Sequence, residues 1–149
     1  MTPQELRIGN LLYRSKEWYR EYPEYKNQEY LIEVNKITYD ELLKDDYIIN
    51  GEYLRLLVPI PLTEEWLLKF GFHEDNYGLF EKVKNNAEYK SGCEIEVWIK
   101  QCIIDSDIVW DYCIGEDISN VTHLAYIKYV HQLQNLYFAL TGQELTIKL

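Results

Sequence analysis

The chain lacks the features that announce a membrane, a cofactor or a catalytic centre. No run approaches the roughly 18 apolar residues of a membrane span. The opening Met-Thr-Pro-Gln-Glu-Leu-Arg has no apolar core of a secretory signal, so a soluble cytoplasmic protein is expected. The seven glycines form neither Gly-x-Gly-x-x-Gly nor a phosphate-binding loop, and there is no Gly-x-Ser-x-Gly elbow. Cysteine is scarce: Cys93, Cys102 and Cys113 are odd in number, with no Cys-x-x-Cys pair. That spacing gives neither a disulfide framework nor a zinc motif, and the apolar neighbours point to buried, reduced thiols. His123 and His131 are eight residues apart, beyond the i, i+4 spacing of helical ligands. Asp105-Ser106-Asp107 lacks the glycine and terminal glutamate of a calcium loop. No catalytic residue, no metal site and no cofactor is therefore expected.

Basic residues are also few. The chain has 25 Asp and Glu against 15 Lys and Arg, a formal charge of −10, and the last arginine is Arg55. Residues 1–61 carry net −3 and residues 62–149 net −7. Phosphate contacts depend on Arg and Lys, so duplex nucleic-acid binding is disfavoured. An acidic surface suits a basic protein partner instead, or the nucleic-acid channel of one.

What is present is a foldable and aromatic-rich sequence. Its hydrophobic share is 47%, and eight of the fourteen tyrosines fall by Tyr53, a residue type that suits half-buried strands and interfaces. Gly9-Asn10 marks a turn beside a short strand at Leu11–Tyr13. Residues 15–29, broken by Pro23, read as a long loop or elaborated hairpin. Tyr30–Ile37 alternates as one strand, and Thr38 with Glu41 resembles a capping box starting a helical turn over 39–43. Asn50-Gly51 between Tyr47–Ile49 and Tyr53–Val58 predicts a type I′ hairpin. These strands suggest a small, barrel-like β subdomain over 1–58.

Pro59-Ile60-Pro61 is the expected boundary with an α+β subdomain over 62–149. Thr63 caps a short helix over 63–70 that Gly71 stops. Strands follow at 78–83, 94–104 and 107–114, whereas 118–128 fits neither period. Glu94, Glu96, Trp98 and Lys100 alternate with Ile95, Val97 and Ile99, a wet face against a core face. A long helix spans 129–141 and Gly142 ends it, with Leu145, Ile147 and Leu149 as a possible last strand. The fold class is thus α+β with a mainly antiparallel sheet.

That long helix carries no charge: Tyr129 to Gln143 contains no Asp, Glu, Lys or Arg. Surface helices normally have a charged outer face, so this one is expected to be enclosed on more than one side. Val130, Leu133, Leu136, Tyr137 and Leu140 form its core stripe, expected to pack on the sheet of 78–114. His131, Gln134, Asn135 and Phe138 form a second stripe at i, i+3, i+4 and i+7. It serves internal packing, a partner-binding surface or a ligand pocket.

Three blocks, Glu5-Leu-Arg-Ile-Gly-Asn-Leu11, Pro59–Phe72 (PIPLTEEWLLKFGF) and Lys128–Leu145 (KYVHQLQNLYFALTGQEL), resemble a widespread, uncharacterised set of short proteins from phages and prophages of gut-type Bacteroidales bacteria. They cover 39 of 149 residues. The resemblance implies a phage or prophage origin and a bacterial host cytoplasm, but no site residue. The leading expectation is a non-enzymatic interaction protein, one concrete version being an acidic inhibitor of a host defence nuclease. A small-molecule or nucleotide-binding protein with a pocket between subdomains near His131 is one alternative. The other is a small hydrolase in which folding joins Cys102 or Cys113 to His123 and an aspartate.

Overall fold

The computed structural model describes residues 5–25, 31–40, 46–75, 78–81, 96–115 and 121–147. The chain is α+β with antiparallel sheets throughout. It divides into two compact units, residues 1–61 with 129–145 and residues 62–128 with 146–149. The first boundary falls at the prolines, as the sequence suggests. The long helix, however, belongs to the N-terminal unit and not to the C-terminal subdomain expected to hold it.

In the N-terminal unit, β1 (Leu11–Arg14) pairs with β2 (Leu31–Glu33) on one side and β6 (Leu57–Pro59) on the other. A second three-stranded sheet orders β3 (Ile37–Asp40), β4 (Asp46–Ile49) and β5 (Glu52–Tyr53). The expected barrel-like element is therefore two small sheets among the described residues. One core joins them, made by Leu6, Leu12, Ile32, Val34, Ile49 and Leu57. Pro59 sits on the edge strand β6, where a missing N–H is tolerated.

The hairpin turn forms as its sequence demands, with Asn50 and Gly51 at φ 54° and 94°. Asn50 does more than turn the chain. Its Oδ1 accepts the N–H groups of Asn35 (2.8 Å) and Lys36 (3.0 Å), and its Nδ2 donates to the Glu33 carbonyl at 2.6 Å. These bonds satisfy backbone groups where the run 30–37 breaks into β2 and β3. The 53–58 run is likewise divided, with a 3-10 turn at Leu54–Leu56 passing the chain to β6. The expected helical turn over 39–43 starts instead as β3, and residues 41–43 lie outside the described set.

A helix absent from the sequence reading, α1 (Lys16–Glu21), follows β1. Ser15 Oγ accepts the Trp18 N–H at 3.2 Å, an N-cap with Glu17 in the first turn. Trp18 is buried beneath the rings of Tyr19, Tyr22 and Tyr25 and the Arg14 guanidinium. Those tyrosines thus serve local packing.

The C-terminal unit opens with α2 (Glu64–Lys69), capped by Thr63 Oγ1 on the Trp66 N–H at 3.4 Å. Its sheet runs β11 (Val121–Ile127), β10 (Asp107–Gly115), β9 (Glu96–Ile104), β8 (Leu79–Glu81), β7 (His73–Glu74). The pairs Phe80–Ile99, Ile99–Tyr112 and Trp110–Ile127 place these buried side chains on one face. Phe80 meets Trp110 edge to face at 5.8 Å, and the Trp110 indole donates to the Leu62 carbonyl at 2.9 Å. Trp98, expected on the wet face, is buried as well. The ambiguous segment is β11, and residues 144–147 form no strand.

Candidate functional site

The uncharged helix α3 (Val130–Thr141) ends at Gly142, whose φ of 71° suits a residue without Cβ. Its sequence-selected stripe turns inward. Gln134, 2% exposed, accepts the Leu11 N–H on Oε1 at 3.0 Å. Its Nε2 donates to the carbonyls of Gly9 (3.0 Å) and Leu145 (3.4 Å). Asn135 Oδ1 accepts from Asn10 Nδ2 at 2.9 Å, while its own Nδ2 donates to the Glu5 carbonyl at 2.6 Å. Asn10 is fully buried, and its Oδ1 accepts the Arg7 N–H at 2.9 Å. A neutral amide both donates and accepts, so it can satisfy a mixed set of backbone groups without desolvating a charge. This is why the helix face has no Glu or Lys.

His131 is 1% exposed and lies parallel to the Tyr129 ring at 5.8 Å. Neither ring nitrogen has a hydrogen-bond partner among the described residues. Burial lowers its pKa below the ordinary histidine value, opposed in part by the Glu5 carboxylate. Phe138 is more open, but the Arg7 guanidinium covers its ring at 3.7 Å and pairs with Glu144. The partner-binding reading is therefore corrected for His131 and Gln134, which have no surface to offer, whereas Asn135 is half-buried and Phe138 exposed. The apolar stripe is also shorter than expected, since Val130, Leu133 and Tyr137 are buried, Leu136 is half-buried and Leu140 is exposed.

The C-terminal unit exposes a different arrangement. On β10 and β11, register pairs Asp111 with Tyr126 and Cys113 with His123, and a bulge intervenes. Side chains alternate between faces, so an unbulged register would place Leu124 opposite Cys113. The extra residue brings His123 to the face of Asp111 and Cys113. The ligand atoms of these three residues all lie within 4.8 Å of one another. Asp111 Oδ1 is shared, taking a hydrogen bond from His123 Nδ1 and the Cys113 thiol at 3.4 Å. The Tyr126 ring lies 4.4 Å from His123. The hydrolase alternative joins Cys102 or Cys113 to His123 and an aspartate, and the structure brings Cys113, His123 and Asp111 together. No local spacing marks the cluster, because the strand pairing and the bulge create it.

The arrangement does not suit a cysteine nucleophile. The thiol faces a carboxylate, and the imidazole is engaged by the same oxygen. Burial first, then Asp111, push the Cys113 thiol up to about 11, whereas reactive cysteines have lowered values. Cys113 and Cys102 are both half-buried free thiols, and Cys93 lies outside the described residues. An open groove of about 420 Å³ lies within the N-terminal unit beside Tyr13, Arg14, Lys16, Tyr19 and Val58. No described helix is long and apolar enough to cross a membrane. No family model, no curated protein and no solved structure matches the chain.

Proposed function

We propose that the protein is a non-enzymatic interaction protein of phage or prophage origin that docks a basic protein partner along strand β11. The observation that carries this reading is the character of that strand. Among the described residues β11 pairs with β10 alone, and Val121, Leu124 and Tyr126 are exposed along it. Val-Thr-His-Leu-Ala-Tyr-Ile contains no Lys, Arg, Glu, Asp or Pro. Edge strands usually carry such residues to prevent pairing with another chain, and an edge without them is suited to accept an added strand.

The identity of the partner is argued from charge. Residues 62–149 hold 14 acids and 7 bases and no arginine, a field that accelerates encounter with a basic surface. The three resembling blocks support the phage or prophage origin. A host defence nuclease, with a basic channel for its nucleic acid, is a partner of the required chemistry.

The test compares wild type with Leu124→Lys and Tyr126→Lys in capture from a Bacteroidales host lysate. The expected result is a partner of high isoelectric point, weakened by raised salt and lost in both variants at unchanged melting temperature. Retention by both variants would overturn docking through β11.

A further inference from the structure

The side-chain cluster on β10 and β11 supports an inference independent of partner docking. We propose that Asp111, Cys113 and His123 form a three-ligand site for a divalent transition ion of the zinc type. The donor set is one carboxylate oxygen, one sulfur and one imidazole nitrogen, each a donor that Zn²⁺ uses. Bonds of about 2.0–2.3 Å in tetrahedral geometry separate donors by roughly 3.3–3.7 Å. Cys113 Sγ already lies 3.4 Å from Asp111 Oδ1, and His123 Nδ1 is within hydrogen-bonding reach of the same oxygen. The site therefore closes around an ion with small side-chain rotations.

Three further observations support the site. The β-bulge between Tyr112 and Cys113 turns His123 onto this face, and bulges commonly re-aim a functional side chain. The Tyr126 ring, 4.4 Å away, limits rotation of the imidazole. The Asp111 and His123 side chains remain 24% and 45% exposed, so an ion can enter and water can complete its coordination.

Binding requires no oxidant or reductant. The Cys113 thiol proton passes to solvent as the sulfur–metal bond forms. The imidazole proton is carried on Nε2 when Nδ1 binds the ion, so histidine remains neutral. Aspartate and thiolate then balance the 2+ charge. The sulfur and nitrogen donors disfavour Mg²⁺ and Ca²⁺, which prefer oxygen. The expected order is Zn²⁺ over Co²⁺, with neither hard cation competing.

Titration of the chelator-treated full chain with Co²⁺ tests the site. The expected signal is a sulfur-to-cobalt charge-transfer band saturating at one ion per chain, erased by Zn²⁺ and unaffected by excess Mg²⁺. Cys113→Ser should abolish the band. His123→Gln should weaken binding by more than the roughly 10–100-fold cost of losing an outer-shell partner, and Cys102→Ser should leave it intact. Circular dichroism of each variant checks that the fold is retained. Absence of the band in wild type would overturn the proposal, as would its persistence in folded Cys113→Ser.

Discussion

Polar side chains serve opposite ends on helix α3 and on the outward face of β10 and β11. On the helix, Gln134 and Asn135 contact backbone groups of residues 5, 9, 11 and 145. On the sheet, Asp111, Cys113 and His123 contact one another and remain partly open to solvent. The first pattern is that of a clamp, in which neutral amides replace backbone hydrogen bonds that segment 5–11 would otherwise lack. The second is that of the proposed metal site, in which three protein groups converge on a position still open to solvent. Unusual composition therefore marks the structural element, whereas no local motif marks the outward cluster, whose Cys113 and His123 are linked in the sequence only as residues that folding would have to join.

The resembling blocks acquire a physical meaning from the same contrast. Segment 5–11 and the helix are hydrogen-bonding partners. The Val130 N–H also donates to the Ile60 carbonyl at 2.9 Å, while Pro61 bridges Tyr129. The first block, the opening prolines of the second and the helix of the third thus contribute to the frame of the N-terminal unit, while residues 62–72 of the second block belong to the C-terminal unit. The chemistry proposed for β10 and β11 lies outside them.

The largest effect that would sharpen this comparison is Leu133→Ala. Leu133 is fully buried, so its truncation should cost about 2–5 kcal/mol in denaturant unfolding. Leu140→Ala, on the exposed last turn, should cost well under half as much. Equal losses would mean that the helix buries its whole length.

A smaller effect should appear on acidification. Because burial depresses the folded-state pKa of His131, the unfolded chain binds the proton more readily. The contribution of His131 is therefore complete above about pH 6.5, the ordinary histidine value. It is lost as pH falls through the lower folded-state value, with a slope of at most about 1.4 kcal/mol per pH unit. Wild type minus His131→Phe, measured by chemical denaturation at several pH values, should show this slope. Parallel curves would contradict the neutral, buried assignment.

The smallest effect is expected on the outward face. His123→Gln and Cys102→Ser, measured with chelator present, should shift stability by no more than about 0.5 kcal/mol, as for most surface changes. A loss comparable to that of Leu133→Ala would make this face structural and erase the distinction.

Much of the fold was legible where local chemistry dominates. Thr63 with Glu64 and Glu65 marks α2, and Asn50-Gly51 marks its hairpin. Ser15 and Glu17 carried a comparable start signal for α1, obscured by the dense tyrosines and Pro23. The rest depends on distant partners. The strand break at 34–36 relies on Asn50, and the direction of His123 relies on a bulge defined only by pairing with β10. The helix was recognisable, but its partners lie about 125 residues earlier. Periodicity alone therefore linked it to the adjacent sheet in place of the N-terminal unit.

The most direct test of the central claim is the melting temperature of Gln134→Glu. The carboxylate would still accept from Leu11 but would face the Gly9 and Leu145 carbonyls without a proton to donate. Breaking such a buried network costs about 3–5 kcal/mol when a charge is left uncompensated. At roughly 2–4 °C per kcal/mol for a chain near this size, the account predicts a drop of several degrees or more, with the loss largest at neutral pH. A melting temperature equal to wild type would contradict it and restore this helix face as a surface free to meet a partner.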